Sequence, residues 1–190
     1  MPLHPSAQSL RIDARTGLAL RVRQVLTNHY DARPAGIVPD LVIVHGISLP
    51  PAQFGGPWID RLFTGSLPPE VHPFFAAMAV GRVSAHALIR RDGEIVQYVP
   101  FGERAWHAGR SEYLGREACN DFSVGIELEG TDDTPYEAAQ YESLAALIRA
   151  LLGTYATLSR ERIVGHSDVA PGRKSDPGAS FDWDRLRASI

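Results

Sequence analysis

Four consecutive apolar residues, Leu41-Val42-Ile43-Val44, three of them β-branched, run straight into His45-Gly46. A run of that kind has no polar side to show to water, so it reads as a sheet strand buried in a core. The histidine leaves the core at the strand's end, a common place for chemistry on a rigid scaffold.

The other patterned segments say what surrounds that strand. VSAHALIRR (83–91), Asp92-Gly93 and EIVQYVP (94–100) predict a β-hairpin with a two-residue turn. FSVGIELEG (122–130) alternates Val124, Ile126 and Leu128 with Gly125, Glu127 and Glu129, predicting a half-buried strand with two carboxylates on its open face. Thr134-Pro135-Tyr136-Glu137 reads as a capping box with proline at the first helical position. Tyr141, Leu144, Ala145, Ile148, Leu151 and Leu152 continue it as an apolar helical stripe, and Gly153 supplies the stop. IVGH (163–166) is a last short strand, followed by a helical turn or two near 181–190.

Residues 1–40, punctuated by Pro2, Pro5, Pro34 and Pro39, read as an irregular lead-in. Residues 49–82 are broken by Pro50-Pro51, Gly55-Gly56-Pro57 and Pro68-Pro69, with helical turns expected at 58–63 and 72–79. So long a stretch with little regular pattern is usually functional or mobile, and it is expected to form a wall or lid over the site. The architecture predicted is α/β, a single-domain mixed β-sheet flanked by helices.

A chain of 190 residues buries about 70% of its unfolded surface, enough for one core. Net charge is −3 with no run of five like charges, so the basic stripe that nucleic acid demands is missing. Cys119 is the only cysteine, which excludes an intramolecular disulfide and Cys-rich zinc sites. No stretch of the N-terminal region matches the apolar core of about 7–15 residues in a signal peptide, nor does any reach the roughly 20 of a membrane span. The expected setting is a reducing cytoplasm, away from membranes.

Of seven histidines, His45 and His166 each close a short apolar strand and each precede a turn-rich loop. Adjacent strands would bring such ends to one rim. The loop after His166 adds Asp168, Arg173, Lys174 and Asp176 between Pro171-Gly172 and Pro177-Gly178, turn residues that hold its shape. Two imidazoles, one carboxylate and an open position make the pattern of a catalytic zinc, although the spacing matches no short metal motif. Gly165-His166-Ser167-Asp168-Val169 lacks the closing glycine of a nucleophile elbow. Cys119, with His107 or His86, is a second candidate nucleophile, against its commoner use as a small buried hydrophobe.

VHGISLPP (44–51), FGGPWID (54–60), RVSAHALIRRDGEIVQYVPF (82–101), AWHAG (105–109), CNDFSVGIELEG (119–130) and GHSDVAPGRKSDPG (165–178) together resemble the cytosolic 1,6-anhydro-N-acetylmuramoyl-L-alanine amidases. These belong to a superfamily shared with amidase-type phage lysozymes and peptidoglycan recognition proteins. The resemblance covers roughly residues 28–187 and implies a zinc amidase domain over 28–190 after a lead-in of 1–27. It implies one Zn2+ held by His45, His166 and Asp176, with Glu127 as acid/base and Lys174 as electrophile. His86, which the superfamily keeps, would be structural or support a ligand.

The implied reaction is hydrolysis of the amide joining the lactyl group of N-acetylmuramic acid to L-alanine, in anhydro-muropeptides recovered during cell-wall recycling. The implied protein is a cytoplasmic monomer acting on a small molecule. Trp106 and Phe122 would stack on the sugar or wall the groove, and Arg82, Arg116 and Asn120 would contact its N-acetyl, lactyl or peptide groups. Gly46 stands where relatives often carry asparagine, and Ala118 where some carry a second basic residue, leaving peptide carboxylates to Arg116. The rival reading is a non-catalytic wall-fragment binding module, which tends to lose a ligand or the acid/base.

Overall fold

A computed structural model describes residues 10–78 and 81–190. Pro2, Pro5 and Ala79 of the expectations above lie outside that set. Six strands form the main sheet: β1 (Arg23–Gln24), β2 (Leu41–Ile47), β3 (Ala87–Ile89), β4 (Ile95–Gln97), β5 (Ser123–Glu129) and β6 (Ile163–Gly165). Their order is β6-β2-β5-β3-β4-β1. β6, β2, β5 and β3 run parallel, β4 returns antiparallel to β3, and β1 lies parallel to β4. The helices are α1 (Trp58–Phe63), α2 (Pro73–Met78), α3 (Ala138–Thr154), α4 (His166–Val169) and α5 (Trp183–Ser189).

Alternation along the two central strands sorts the core. Val42, Val44, Val124, Ile126 and Leu128 face the α3 stripe of Tyr141, Leu144, Ala145, Ile148 and Leu151. On the opposite face Leu41 and Ile43 meet Cys119, Phe122 and Val169, while Leu88 and Val96 meet Ile59, Leu62, Phe63 and Phe75. β5 is therefore buried along its whole length rather than half-buried. Lying between two parallel neighbours, it has both faces covered, as parallel sheets require.

Other expectations shift in register. The hairpin closes through three residues, Arg91-Asp92-Gly93, with Gly93 at φ +87° and the Arg90 amide donating to the Glu94 carbonyl. That is a type I turn with a glycine bulge rather than a two-residue turn. The helix begins three residues later than its Thr134 signal: Thr134 bridges Thr131, and the Gln140 side chain accepts the Glu137 amide at the true start. Gly153 lies inside the last turn, and the helix ends at Thr154.

From residue 10 on, the lead-in is not wholly irregular. Ile12–Asp13 pairs with Leu18–Ala19, and Tyr30–Asp31 with Arg104–Ala105. Buried Gln97 knits this arm to the sheet, donating to the Gly17 carbonyl and accepting the Ala19 amide. Residues 49–78 likewise carry their own apolar anchors, Leu49, Ile59, Leu62, Phe63, Leu67 and Phe75, packed on Leu88, Val96 and Tyr98. Those side chains make the sheet's second core layer.

Candidate metal centre

Register brings the chemistry together. Glu127 of β5 is the direct cross-strand partner of His45 on β2, and Gly165 of β6 pairs with Val44, which sets His166 beside His45. In parallel strands such partners share a face about 4.8 Å apart. The three residues thus stand in one row across the carboxyl ends of three strands, where open α/β sheets bind ligands.

The loop after α4 supplies the remaining group. The Ser167 amide donates to the Asp176 carbonyl, folding residues 170–178 back over the strand ends. His45 Nδ1 and His166 Nδ1 are 3.0 Å apart, and Asp176 Oδ2 lies 3.2 Å from the first and 3.0 Å from the second. Tetrahedral coordination at about 2.0–2.1 Å spaces ligand atoms roughly 3.3–3.4 Å apart. The triangle is within a few tenths of an ångström of that, so these three residues fit a zinc ion with one position open. Asp168, the loop's other aspartate, accepts the Gly165 amide at 2.7 Å and is occupied in capping α4.

Burial lowers His45 to about 4, keeping its imidazole neutral, as a metal ligand must be. Burial works against the charge on Asp176 too, yet hydrogen bonds from His166 and His45 hold its carboxyl well below the usual range. Glu127 goes the other way. Burial first and the Asp176 charge second push it well above an ordinary glutamate, with Lys174 pulling it back. Its Oε2 is buried with no hydrogen-bond partner. A buried carboxyl oxygen left free beside three convergent ligand atoms is poised for a proton that the protein itself does not provide. Lys174 is exposed on the same loop, its charge felt by both His45 and Glu127.

The second carboxylate of β5 has another use. Glu129 Oε1 accepts the Gly55 amide at 2.6 Å and Oε2 the Arg91 amide at 3.3 Å, fastening the 49–56 loop to the sheet. His86 sits beneath the centre: its Nδ1 accepts the Gly125 amide and its Nε2 lies 3.0 Å from the Glu103 carbonyl. Burial and then the Arg33 charge take it down to about 3, a structural imidazole. Gly46 also acquires a reason. A side chain there would collide with the Tyr136 hydroxyl, which donates to the Pro177 carbonyl next to Asp176.

The residues expected to contact substrate have the following surroundings. Arg116 pairs with Asp40 at 2.6 Å and stacks 3.7 Å over the buried Phe122 ring. Asp40 and Phe122 immediately precede β2 and β5, five residues or about 16 Å of strand before His45 and Glu127. Both side chains therefore lie toward the other end of these strands from the His45–His166–Asp176 triangle. Asn120 directs its carbonyl oxygen to the amides of His107 and Ala108. The Trp106 indole donates to Asp31 and its ring stacks on His29, half-buried, while Arg82 is exposed. Cys119 is fully buried among Leu41, Ile43 and Phe122, and burial raises its pKa, so no thiolate nucleophile is available there.

His107, read from sequence only as a possible partner of Cys119, lies directly against His45. The signal was Gly125 on β5: a side chain there would strike the His107 ring, so the strand needs glycine at that point.

Comparison with known proteins fits this geometry. The family model described as N-acetylmuramoyl-L-alanine amidase matches residues 34–179. A curated relative, the 1,6-anhydro-N-acetylmuramyl-L-alanine amidase AmpD of Escherichia coli, is 60% identical over 92% of this chain and 94% of its own length. A crystal structure of a selenomethionine AmpD derivative superimposes with TM-score 0.91 at 58% identity, covering 94% of this chain and 98% of that one. The E. coli amidase AmiD, solved in complex with anhydro-N-acetylmuramic acid-L-Ala-D-γ-Glu-L-Lys, matches with TM-score 0.59 at 26% identity, over 95% of this chain and 65% of that one. With the family model covering most of its length and relatives this similar, the chain belongs to the N-acetylmuramoyl-L-alanine amidase family.

Proposed function

We propose that this chain is a zinc-dependent hydrolase that cuts the amide between the lactyl group of 1,6-anhydro-N-acetylmuramic acid and L-alanine in muropeptides released during wall recycling. The observation that carries the reading is the unpartnered Glu127 Oε2, set in register with His45 beside the His45–His166–Asp176 triangle. The similarity to AmpD and the anhydro-muropeptide bound in the AmiD structure support the substrate class. A single buried cysteine and the lack, among described residues, of any helix long and apolar enough to cross a membrane suit a cytoplasmic site of action.

An amide resists hydrolysis because neutral water is a poor nucleophile and an amine leaves badly. Zinc held by His45, His166 and Asp176 would supply Lewis acidity, making water more acidic and the scissile carbonyl more electrophilic. Glu127 takes the attacking water's proton on Oε2 and passes it to the leaving nitrogen. Its raised pKa suits the second step, since a buried carboxylic acid holds the proton until the amine needs it. Lys174 stabilises the negative oxygen of the tetrahedral intermediate, a contribution whose loss typically costs about 10²–10³ in rate.

The deciding experiment strips metal from the protein and restores zinc while following cleavage of an anhydro-muropeptide. Activity should vanish and return. Glu127→Gln should bind zinc as tightly as the parent and lose about 10²–10⁴ in turnover. Retained turnover removes Glu127 from its role, and binding of the muropeptide without any turnover by the zinc-loaded parent would make this chain a recognition module.

A further inference from the structure

We propose that the segment Ala105–Gly109 is an outer cradle that orients both metal-binding imidazoles, and that His107 is the positioning residue fixing His45. The inference rests on the metal-binding reading above and concerns groups that do not reach the ion.

Nδ1 of each imidazole faces Asp176 and the place of the ion; with Nδ1 given to the metal, each imidazole carries its proton on Nε2 and needs an acceptor there. Both acceptors come from neighbouring residues of one loop. His45 Nε2 lies 2.9 Å from His107 Nδ1, and His166 Nε2 lies 3.2 Å from the Ala108 carbonyl oxygen. The His45 and His107 rings meet edge-on, 5.0 Å between centroids at 89°, so a lone pair of one faces the N–H of the other. His107 in turn points Nε2 at Ser123 Oγ, 3.3 Å away at the start of β5. That chain of bonds allows one arrangement of protons: His107 neutral, accepting at Nδ1 and donating at Nε2.

The loop is held from three sides. Asn120 Oδ1 accepts the amides of both His107 and Ala108, at 3.1 and 2.8 Å. The Arg173 guanidinium donates to the carbonyls of Ala108 and Arg110, at 2.6 Å each, tying the cradle to the loop that carries Lys174 and Asp176. From below, the His107 ring occupies the space a side chain at Gly125 would fill. Asn120 thus acts on the metal centre through the loop rather than on substrate. Groups that orient a ligating histidine typically account for about 10–100-fold in metal affinity.

The test measures zinc affinity by chelator competition, with the visible spectrum of the cobalt-substituted protein as a second readout. His107→Phe keeps the ring and removes the acceptor. His107→Asn keeps an acceptor, because an asparagine Oδ1 falls near the place of an imidazole Nδ1. The phenylalanine variant should bind zinc about 10–100-fold more weakly and shift the cobalt spectrum, and the asparagine variant should recover most of the loss. Equal affinity of His107→Phe and parent overturns the proposal, as does an equal loss in both variants, which would make the ring mere packing. Should His107→Phe fail to fold, Asn120 decides: Asn120→Ala should weaken zinc binding and Asn120→Asp should restore it, and unchanged affinity in Asn120→Ala overturns the cradle. A parent protein that binds no zinc at all removes the metal reading and this one together, a result distinct from each of these.

Discussion

Two carboxyls of one rim feel the same upward push from burial yet end up shifted in opposite directions, and their partners explain why. Asp176 has two imidazoles to satisfy its charge, whereas Glu127 has a like charge nearby and an oxygen with no partner. The metal-free protein should register this. With a folded pKa raised above its unfolded value of about 4.3, Glu127 stays protonated in the fold where the unfolded chain has already ionised, so its presence costs stability increasingly as pH rises past that value. Glu127→Gln should therefore melt higher than the parent at pH 7 in chelator, and the gain should shrink toward pH 4. Thermal unfolding across that range checks it, and a gain constant with pH would contradict the cause given. Asp176→Ala should weaken zinc binding by tenfold or more, read by equilibrium competition.

At the scale of elements, β5 shows how far pattern carries. Its alternation places Glu127 and Glu129 on one face, and spacing cannot choose between them. The choice lies in what each meets: Glu129 is taken by the Gly55 and Arg91 amides, and Glu127 is left free beside His45. Glu129→Ala should leave the Gly55 amide without its acceptor and destabilise the fold by about 1–3 kcal/mol in urea. Proteolysis should then begin within residues 49–56, and an unchanged cleavage pattern would mean the loop is held by its apolar anchors alone. The helix start shows the reverse case. Thr134-Pro135 carries a strong local capping signal, yet Tyr136 is drawn into the slot over Gly46 and Gly130, and the start moves to Glu137. A buried aromatic ring outweighs one capping bond.

For the whole molecule, the proposed metal ligands come from β2, α4 and the loop beyond it, His45 more than a hundred residues of chain from the other two. Nothing in the unfolded chain assembles them, so metal affinity is also folding free energy. Zinc at a thousand times its dissociation constant should stabilise the protein by about 4 kcal/mol. At about 2–4 °C per kcal/mol for a chain of this length, a chelator should lower the melting temperature by roughly 10 °C. Scanning calorimetry with and without chelator measures it, and coincident melting curves would contradict a metal centre built by the fold.

The sequence by itself determined the central strands and the long helix to within a few residues, and that His45 and His166 lie near the carboxyl ends of two apolar strands, because those features are periodic and local. The family resemblance narrowed the chemistry to Asp176, Glu127 and Lys174. Only tertiary structure decided that His45, His166 and Glu127 form one row, that Arg116 and Phe122 sit toward the opposite end of the strands, and that His107 meets His45 while Asn120 holds the His107 and Ala108 amides. Those facts depend on strand order and register, and on loops whose hydrogen bonds join residues distant in the chain. No local pattern encodes either.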